Sequence, residues 1–400
     1  MKHLFLSCLT AIAVFLAPRA TAAPPPEPAT VLDPIVVTGI RPLIKIAEHP
    51  MLEPRFGAAI VAEGDYLYII GGSNSEGTRL DTVERVDLRT GKAALWTKLQ
   101  VARRHHRAVV TGGKIYVLGG TSGPVNPSDP LSEELSDYSG DHVPIGEQLP
   151  RSWFDPPENP LKPPTAGLPK IPYDHERTME IIDLQTGKVT TGPAMPFAKT
   201  MFGCVVVDGR ILVIGGQKRR STDHIVCTNT TEIFDPVSNQ WSAGINMPTA
   251  RRCTATLVDG YVIVLGGYEG RQASRRVEVF TPRDKVWHRL TDLKESANPS
   301  ATVWCGNYLF LFGDQAARSR QLVYDLRSKQ LVPYPLAMPN SDFAAALWHE
   351  GKIYVVGGAS LRLHDTSEGY QVFAPTLDIA VPPGRPDRLA SNRCPASNVP

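Results

Sequence analysis

The chain has almost no charge imbalance: 42 Lys+Arg stand against 40 Asp+Glu in 400 residues, a formal +2. A general nucleic-acid binder carries a marked basic excess, so nucleic acid is not an expected partner. After residue 22 no run stays apolar for the roughly 18 residues that a membrane-spanning helix needs, and no transmembrane segment is expected. The sequence contains no C-x-x-C, H-E-x-x-H, G-x-S-x-G or G-x-x-x-x-G-K-[ST]. The usual motifs of zinc-thiolate, zincin, serine-hydrolase and P-loop chemistry are therefore missing. His105 and His106 are adjacent, so in a strand they point to opposite faces and cannot share one metal. No metal and no cofactor are expected. What the chain does have is 42% hydrophobic residues, too many for disorder, with 33 Gly and 36 Pro, which signal many turns and few long helices.

The first 22 residues read as an address. Lys2 and His3 precede an apolar run from Leu4 to Ala17, and Ala20-Thr21-Ala22 offers small residues where a signal peptidase cuts. Cleavage after Ala22 removes Lys2 and Arg19 and leaves 40 Lys+Arg against 40 Asp+Glu. An exported chain, periplasmic or secreted, is the expectation. Export permits disulfides. The remaining cysteines, Cys204, Cys227, Cys253, Cys305 and Cys394, are odd in number, so at least one stays unpaired, and most read as apolar core residues. Residues 23–42 form a Pro-rich arm, residues 43–381 the folded domain and residues 382–400 a loose tail.

The folded part repeats itself. An apolar run ends in Gly-Gly at Gly71-Gly72, Gly119-Gly120, Gly215-Gly216, Gly266-Gly267 and Gly357-Gly358, and a sixth copy ends in Gly313-Asp314. The first glycines are spaced 48, 96, 51, 47 and 44 residues apart, with an insertion at residues 121–176 in the long interval. Each unit runs in the same order. A small-residue strand comes first, then a tight turn such as Asp208-Gly209, then the Gly-Gly strand. A third strand ends in pairs such as Val86-Asp87, Ile182-Asp183 and Phe234-Asp235, and the fourth often carries a Trp (Trp96, Trp241, Trp287). Four short strands in about 50 residues is the period of a propeller blade.

Five diglycine strands and a sixth ending in Gly313-Asp314, in register, with a spaced aromatic-Asp pair and a later Trp, resemble the kelch repeat over about residues 51–376. The resemblance implies an all-β, six-bladed kelch-type β-propeller with a long irregular insertion in the second blade. Stacked blades cover each other's apolar faces and leave only short edges, so the physical reading agrees. Two segments compete for the outer strand of the last blade, Thr376–Val381 and Leu43–Ile46. The latter is preferred, because it precedes Arg55 much as Trp96–Leu99 precedes Arg103.

The starts of the first strands and the loops after the diglycines fall on one face of such a ring, and that face is rich in cations. Arg55, Arg103, Arg104, His105, Lys199, Arg251, Arg252 and Arg318 are the candidate binding residues there, and a wall of one sign of charge attracts anions. Residues 121–176 hold ten acids against three bases, and read as an acidic lid across that basic mouth. For catalysis the sequence is less informative. The chain is similar in size and export to the periplasmic sialic-acid mutarotases, also six-bladed kelch proteins. That resemblance implies an acid and an arginine near the channel mouth, the acid moving protons and the cation holding a sugar carboxylate. The candidates are Asp314 with Arg320, in the copy where Asp replaces the second glycine, and Glu269 with Arg275. Binding of a protein or an anionic carbohydrate, by a monomer, is preferred to mutarotase or epimerase chemistry, since the strand pattern accounts for most residues and no catalytic set stands out.

Overall fold

The fold is taken from a computed structural model, which describes residues 43–123, 174–221, 224–317, 320–334, 336, 338, 341–360 and 365–375. Six four-stranded antiparallel sheets succeed one another along the chain. Blade 1 holds Ala59–Glu63, Tyr66–Ile70, Thr82–Asp87 and Lys92–Lys98. Blade 2 holds Arg107–Thr111, Lys114–Leu118, Met179–Asp183 and Val189–Thr191, and blade 3 Gly203–Val207, Arg210–Ile214, Thr231–Asp235 and Gln240–Ala243. Blade 4 holds Thr256–Val258, Tyr261–Leu265, Val277–Thr281 and Val286–Arg289, and blade 5 Pro299–Cys305, Tyr308–Asp314, Arg320–Asp325 and Gln330–Tyr334. Blade 6 takes Ala345–His349, Lys352–Val356 and Gly369–Pro375, and its outer strand is Leu43–Pro50 from the N-terminal side. Residues 376–381 lie outside the described residues.

The second strand of each blade is apolar without alternation because a neighbouring blade covers each of its faces. Ile69 packs with Val356 and Tyr370 of blade 6 on one side, while Tyr68 and Ile70 pack with Ile115 and Val117 of blade 2 on the other. The same pairing recurs between blades 2 and 3, 3 and 4, and 4 and 5. The fourth strands sit at the rim and are half exposed, so they can carry charge. Trp241 stacks on Phe234 at 5.1 Å and donates its indole N–H to the Pro193 carbonyl of the preceding blade, and Trp287 repeats this with Phe280 and Ile245. The terminal aspartates close the hairpin turns: Asp235 accepts amide bonds from Val237 and Ser238, which hold its carboxyl below the usual range.

The diglycines join blade to blade. A Cβ on Gly71, Gly119, Gly215, Gly266, Gly313 or Gly357 would approach within 3.0 Å of the carbonyl oxygen of Arg103, Lys199, Arg251, Ala297, Ser341 or Arg55 respectively, each in the next blade. The second glycine donates its N–H to that same carbonyl in five blades, from Gly72 to Arg103 at 2.8 Å round to Gly358 to Arg55 at 3.0 Å, the bond that closes the circle. Both glycines also have positive φ, 56° and 101° for Gly71 and Gly72, so the pair serves conformation and close approach together.

Four of the cations expected on an open basic face are not there. Arg55, Arg103, Lys199 and Arg251 are 0% exposed. Each runs inward along its blade to a glutamate on the third strand: Arg55 to Glu84, Arg103 to Glu180 at 2.6 Å, Lys199 to Glu232 at 2.5 Å and Arg251 to Glu278 at 2.6 Å. A buried cation needs a buried counter-charge, and the glutamates supply it. Blades 5 and 6 lack both partners together: Ala297 and Ser341 replace the cation, and Leu322 and Gln371 stand in register with Glu278. In blade 5 Ala297 and Leu322 belong to one apolar cluster.

Glu278→Ala alone is therefore expected to lower stability by about 3–5 kcal/mol in urea unfolding, because it strands a buried guanidinium. Arg251→Ala with Glu278→Leu, the arrangement of blade 5, should lose less than that single change. A double variant weaker than the single one would contradict this assignment.

Candidate functional site

The inner strands converge where the six blades meet. Just after each buried cation position, one residue per blade bridges to the residue following the diglycine: Phe56 with Ser73, Arg104 with Thr121, Thr200 with Gln217, Arg252 with Tyr268 and Asp342 with Ala359. In blade 5 Gln315 donates its N–H to the Asn298 carbonyl instead. These pairs form the rim of the central channel. The insertion begins and ends on it: Thr121–Ser122 pairs with Asp174–His175, and Thr121 exchanges both backbone bonds with Arg104. Residues 124–173, and with them the body of the expected acidic lid, lie outside the described residues.

The next position along the chain turns into the channel. Gly57, His105, Met201 and Phe343 occupy it with φ of 62°, 53°, 51° and 57°. Three of these are bulky residues in the left-handed region, a strain that tends to collect at functional sites. His105, Met201 and Phe343 pack there as a plug. The His105 ring lies 4.8 Å from Phe343, Phe56 lies 6.2 Å from Phe343, and Phe56, Met201, Phe343 and Ala359 form one buried cluster.

Beside the plug is a cavity of about 40 Å³ lined by residues of all six blades, among them His105, Arg107, Met201, Arg252, Asn298 and Phe343. No carboxylate is among its lining residues. Arg252 is held over the Tyr268 ring at 4.3 Å and donates to the Met201 sulfur at 3.2 Å; Arg104 lies over Phe56 at 5.5 Å. Arg107 donates from Nε to the Phe202 carbonyl at 2.9 Å. Of the expected binding residues, then, Arg104, His105 and Arg252 gather at the channel. Arg55, Arg103, Lys199 and Arg251 do not, and Arg318 lies outside the described residues. Arg107 escaped the sequence reading, which looked at strand entries and loops and not at the strand's first residue.

The acid–arginine candidates are engaged elsewhere. Asp314 is 0% exposed and does not line the cavity. It accepts N–H bonds from Asn298 at 2.7 Å and Ala316 at 3.1 Å, and pairs with Arg320 at 2.8 Å. It caps the short 3₁₀ turn Gln315–Ala317. Arg320 continues to Glu295 at 2.8 Å and the Ser296 carbonyl. Glu269 accepts from Ser274 at 2.5 Å and lies 4.0 Å from Arg276, whereas Arg275 donates to the Leu293 carbonyl. The pairing of Glu269 with Arg275 does not form. Among the described residues no group of three His, Cys, Asp or Glu could hold a metal ion, and none of Cys204, Cys227, Cys253 and Cys305 forms a disulfide.

Residues 54–92, 102–133, 198–248 and 250–294 match the Kelch motif family. These segments fall on blades 1 to 4, the four that carry the buried cation–glutamate pair. The chain belongs to the kelch-repeat β-propeller family. Spermatocyte protein spe-26 of Caenorhabditis elegans is 32% identical over 170 residues, 41% of this chain and 30% of that protein. Kelch-like protein 15 of Danio rerio is 26% identical over 248 residues, 59% of the chain and 34% of the relative. The kelch match thus spans about a third of these curated relatives. The solved structure titled "Structure of YjhT" superposes with a TM-score of 0.61 at 11% identity, covering 82% of this chain and 97% of that one, a likeness of fold. No helix among the described residues is long and apolar enough to cross a membrane.

His106 gives the kelch ring a pH dependence. It is 0% exposed and wedged against Gly71 and Gly120 at the junction of blades 1 and 2. Burial, then Arg103, Arg107 and His105, push its pKa well below 6.5. The unfolded chain binds a proton there below pH 6.5 and the folded one does not, so stability falls as pH drops through that value. The slope is about 1.4 kcal/mol per pH unit until the folded pKa is reached. Urea unfolding between pH 7 and 5 should show it, and His106→Phe, the residue type that Phe202 supplies in blade 3, should flatten it. An unchanged slope in the variant would place the effect elsewhere.

Proposed function

We propose that the protein is an exported interaction module that holds an anionic partner against the loop face of the propeller, over the mouth of its channel. One observation carries this reading: the cavity at the meeting point of all six blades is lined by two arginines and a histidine and by no carboxylate. A concave site of one sign of charge favours anions and steers them in. Arg271 and Arg275, both exposed, extend the positive charge outward from the same face. Kelch propellers commonly bind proteins, and an acidic protein segment is the partner this surface suits. Catalysis has less support, because Asp314 and Glu269 spend their carboxylates on the fold.

The test uses the chain without its first 22 residues and poly-L-glutamate as an acidic peptide probe, with an anionic polysaccharide in parallel. Arg252→Gln should weaken capture of the peptide about tenfold, close to 1.4 kcal/mol. The loss should shrink as salt rises. Deleting residues 124–173 should strengthen capture if the acidic insertion covers the mouth. Retention of the probe that is equal for both proteins at every salt concentration would defeat the reading, and selective capture of the polysaccharide would move it to a carbohydrate partner.

A further inference from the structure

We propose that the central cavity binds a free small oxyanion, a carboxylate or phosphate group, with Arg107 as its counter-charge. The inference rests on the same cavity as the docking reading but not on docking itself.

Arg107 breaks the repeat. It opens the inner strand of blade 2, opposite Leu118. At the same register position blades 1, 3, 5 and 6 have Ala59, Gly203, Ala301 and Ala345. Small residues suit the crowded hub, where inner strands of neighbouring blades nearly touch: a Cβ on Gly203 would lie 2.7 Å from that of Ala255. A guanidinium in this place is not required by the fold, which manages without one in those four blades.

Its charge is also unmatched. The four fully enclosed cations, Arg55, Arg103, Lys199 and Arg251, each have a glutamate, whereas Arg107 is half-buried on the cavity wall. Arg107 has the Phe202 carbonyl on Nε, and among the described residues no carboxylate pairs with it. The titratable groups that act on it are the thiols Cys204 and Cys253. Burial pushes Cys204 up to about 12 and raises Cys253 as well, so both stay neutral near pH 7. Neutral thiols do not balance a guanidinium, and an unbalanced cation on a cavity wall attracts a counter-ion.

The cavity sets the size of that ion. At about 40 Å³ it holds a few water-sized spheres, room for a carboxylate or a phosphate. Arg252 adds a second cation, and Asn298, Ser300 and Thr254 add neutral polar groups on the wall. Two guanidinium groups facing an oxyanion is the arrangement that charge-assisted, forked hydrogen bonding favours.

The experiment measures thermal melting of the mature chain in chloride, then with increasing acetate or phosphate at constant ionic strength. The wild-type melting temperature should rise saturably with at least one of the two anions, and the anion that acts distinguishes the carboxylate from the phosphate site. Arg107→Ala restores the alanine of three other blades. It should melt no lower than the wild type in chloride and bind the effective anion at least tenfold more weakly. Arg107→Lys, which keeps the charge without the fork, should fall between. No saturable rise with either anion, or an equal rise in Arg107→Ala, would overturn the proposal. Poly-L-glutamate capture by the wild type separates the two readings. An anion response in the wild type without capture removes docking alone, and capture without a saturable anion response removes the anion site alone.

Discussion

Everything in this propeller depends on how near one blade's backbone comes to the next. The first glycine of each repeat lies so close to a carbonyl of the following blade that even a methyl group would collide with it. In five blades the second glycine hydrogen-bonds that same carbonyl. The contact fixes the spacing of the blades and thereby the width of the hub. It also fixes what the hub can hold: a plug of His105, Met201 and Phe343, and a cavity the size of an anionic group. A looser ring would have an open water channel, and Arg107 would then be an ordinary solvated side chain.

The carbonyl in that contact belongs to the residue that bears the buried cation in four blades. The same residue thus acceptor-bonds the previous blade through its backbone and neutralises a glutamate of its own blade through its side chain. Buried ion pairs of this kind add little net stability, since an apolar pair of similar size can replace them. Blade 5 does so, with Ala297 and Leu322 in one apolar cluster. The Kelch motif matches fall on the four blades that keep the ion pair, and blades 5 and 6 form without it.

Much of the architecture was legible in the chain. The diglycine spacing marks six blades, and the Asp-Gly turns and the terminal aspartates mark the hairpins. Even the closing strand could be placed, because Leu43–Ile46 stands before Arg55 much as Trp96–Leu99 stands before Arg103. The destination of the cations was not legible from their own positions. Arg251 and Glu278 are 27 residues apart and Arg103 and Glu180 are 77 apart, and only strand pairing brings them together. A signal was nonetheless present: Glu84, Glu180 and Glu232 each stand three residues before the aspartate that ends the third strand. A glutamate inside an otherwise apolar strand asks for a buried cation. Arg107 had a signal of the same kind, an arginine where sister repeats have alanine or glycine.

The sequence by itself determined the number of blades, the strand order within each and the places where the chain must turn. Those follow from local rules: an apolar run buried on both faces, a glycine where φ is positive, an aspartate that ties a turn. Only the tertiary structure decided which charges reach the solvent and which are consumed. Charge is neutralised through space, and the ring brings together side chains that the chain keeps apart. The cations that the sequence places along one face are divided by that closure: Arg55, Arg103, Lys199 and Arg251 are enclosed with glutamates, while Arg252 and the unforeseen Arg107 line the cavity at the hub.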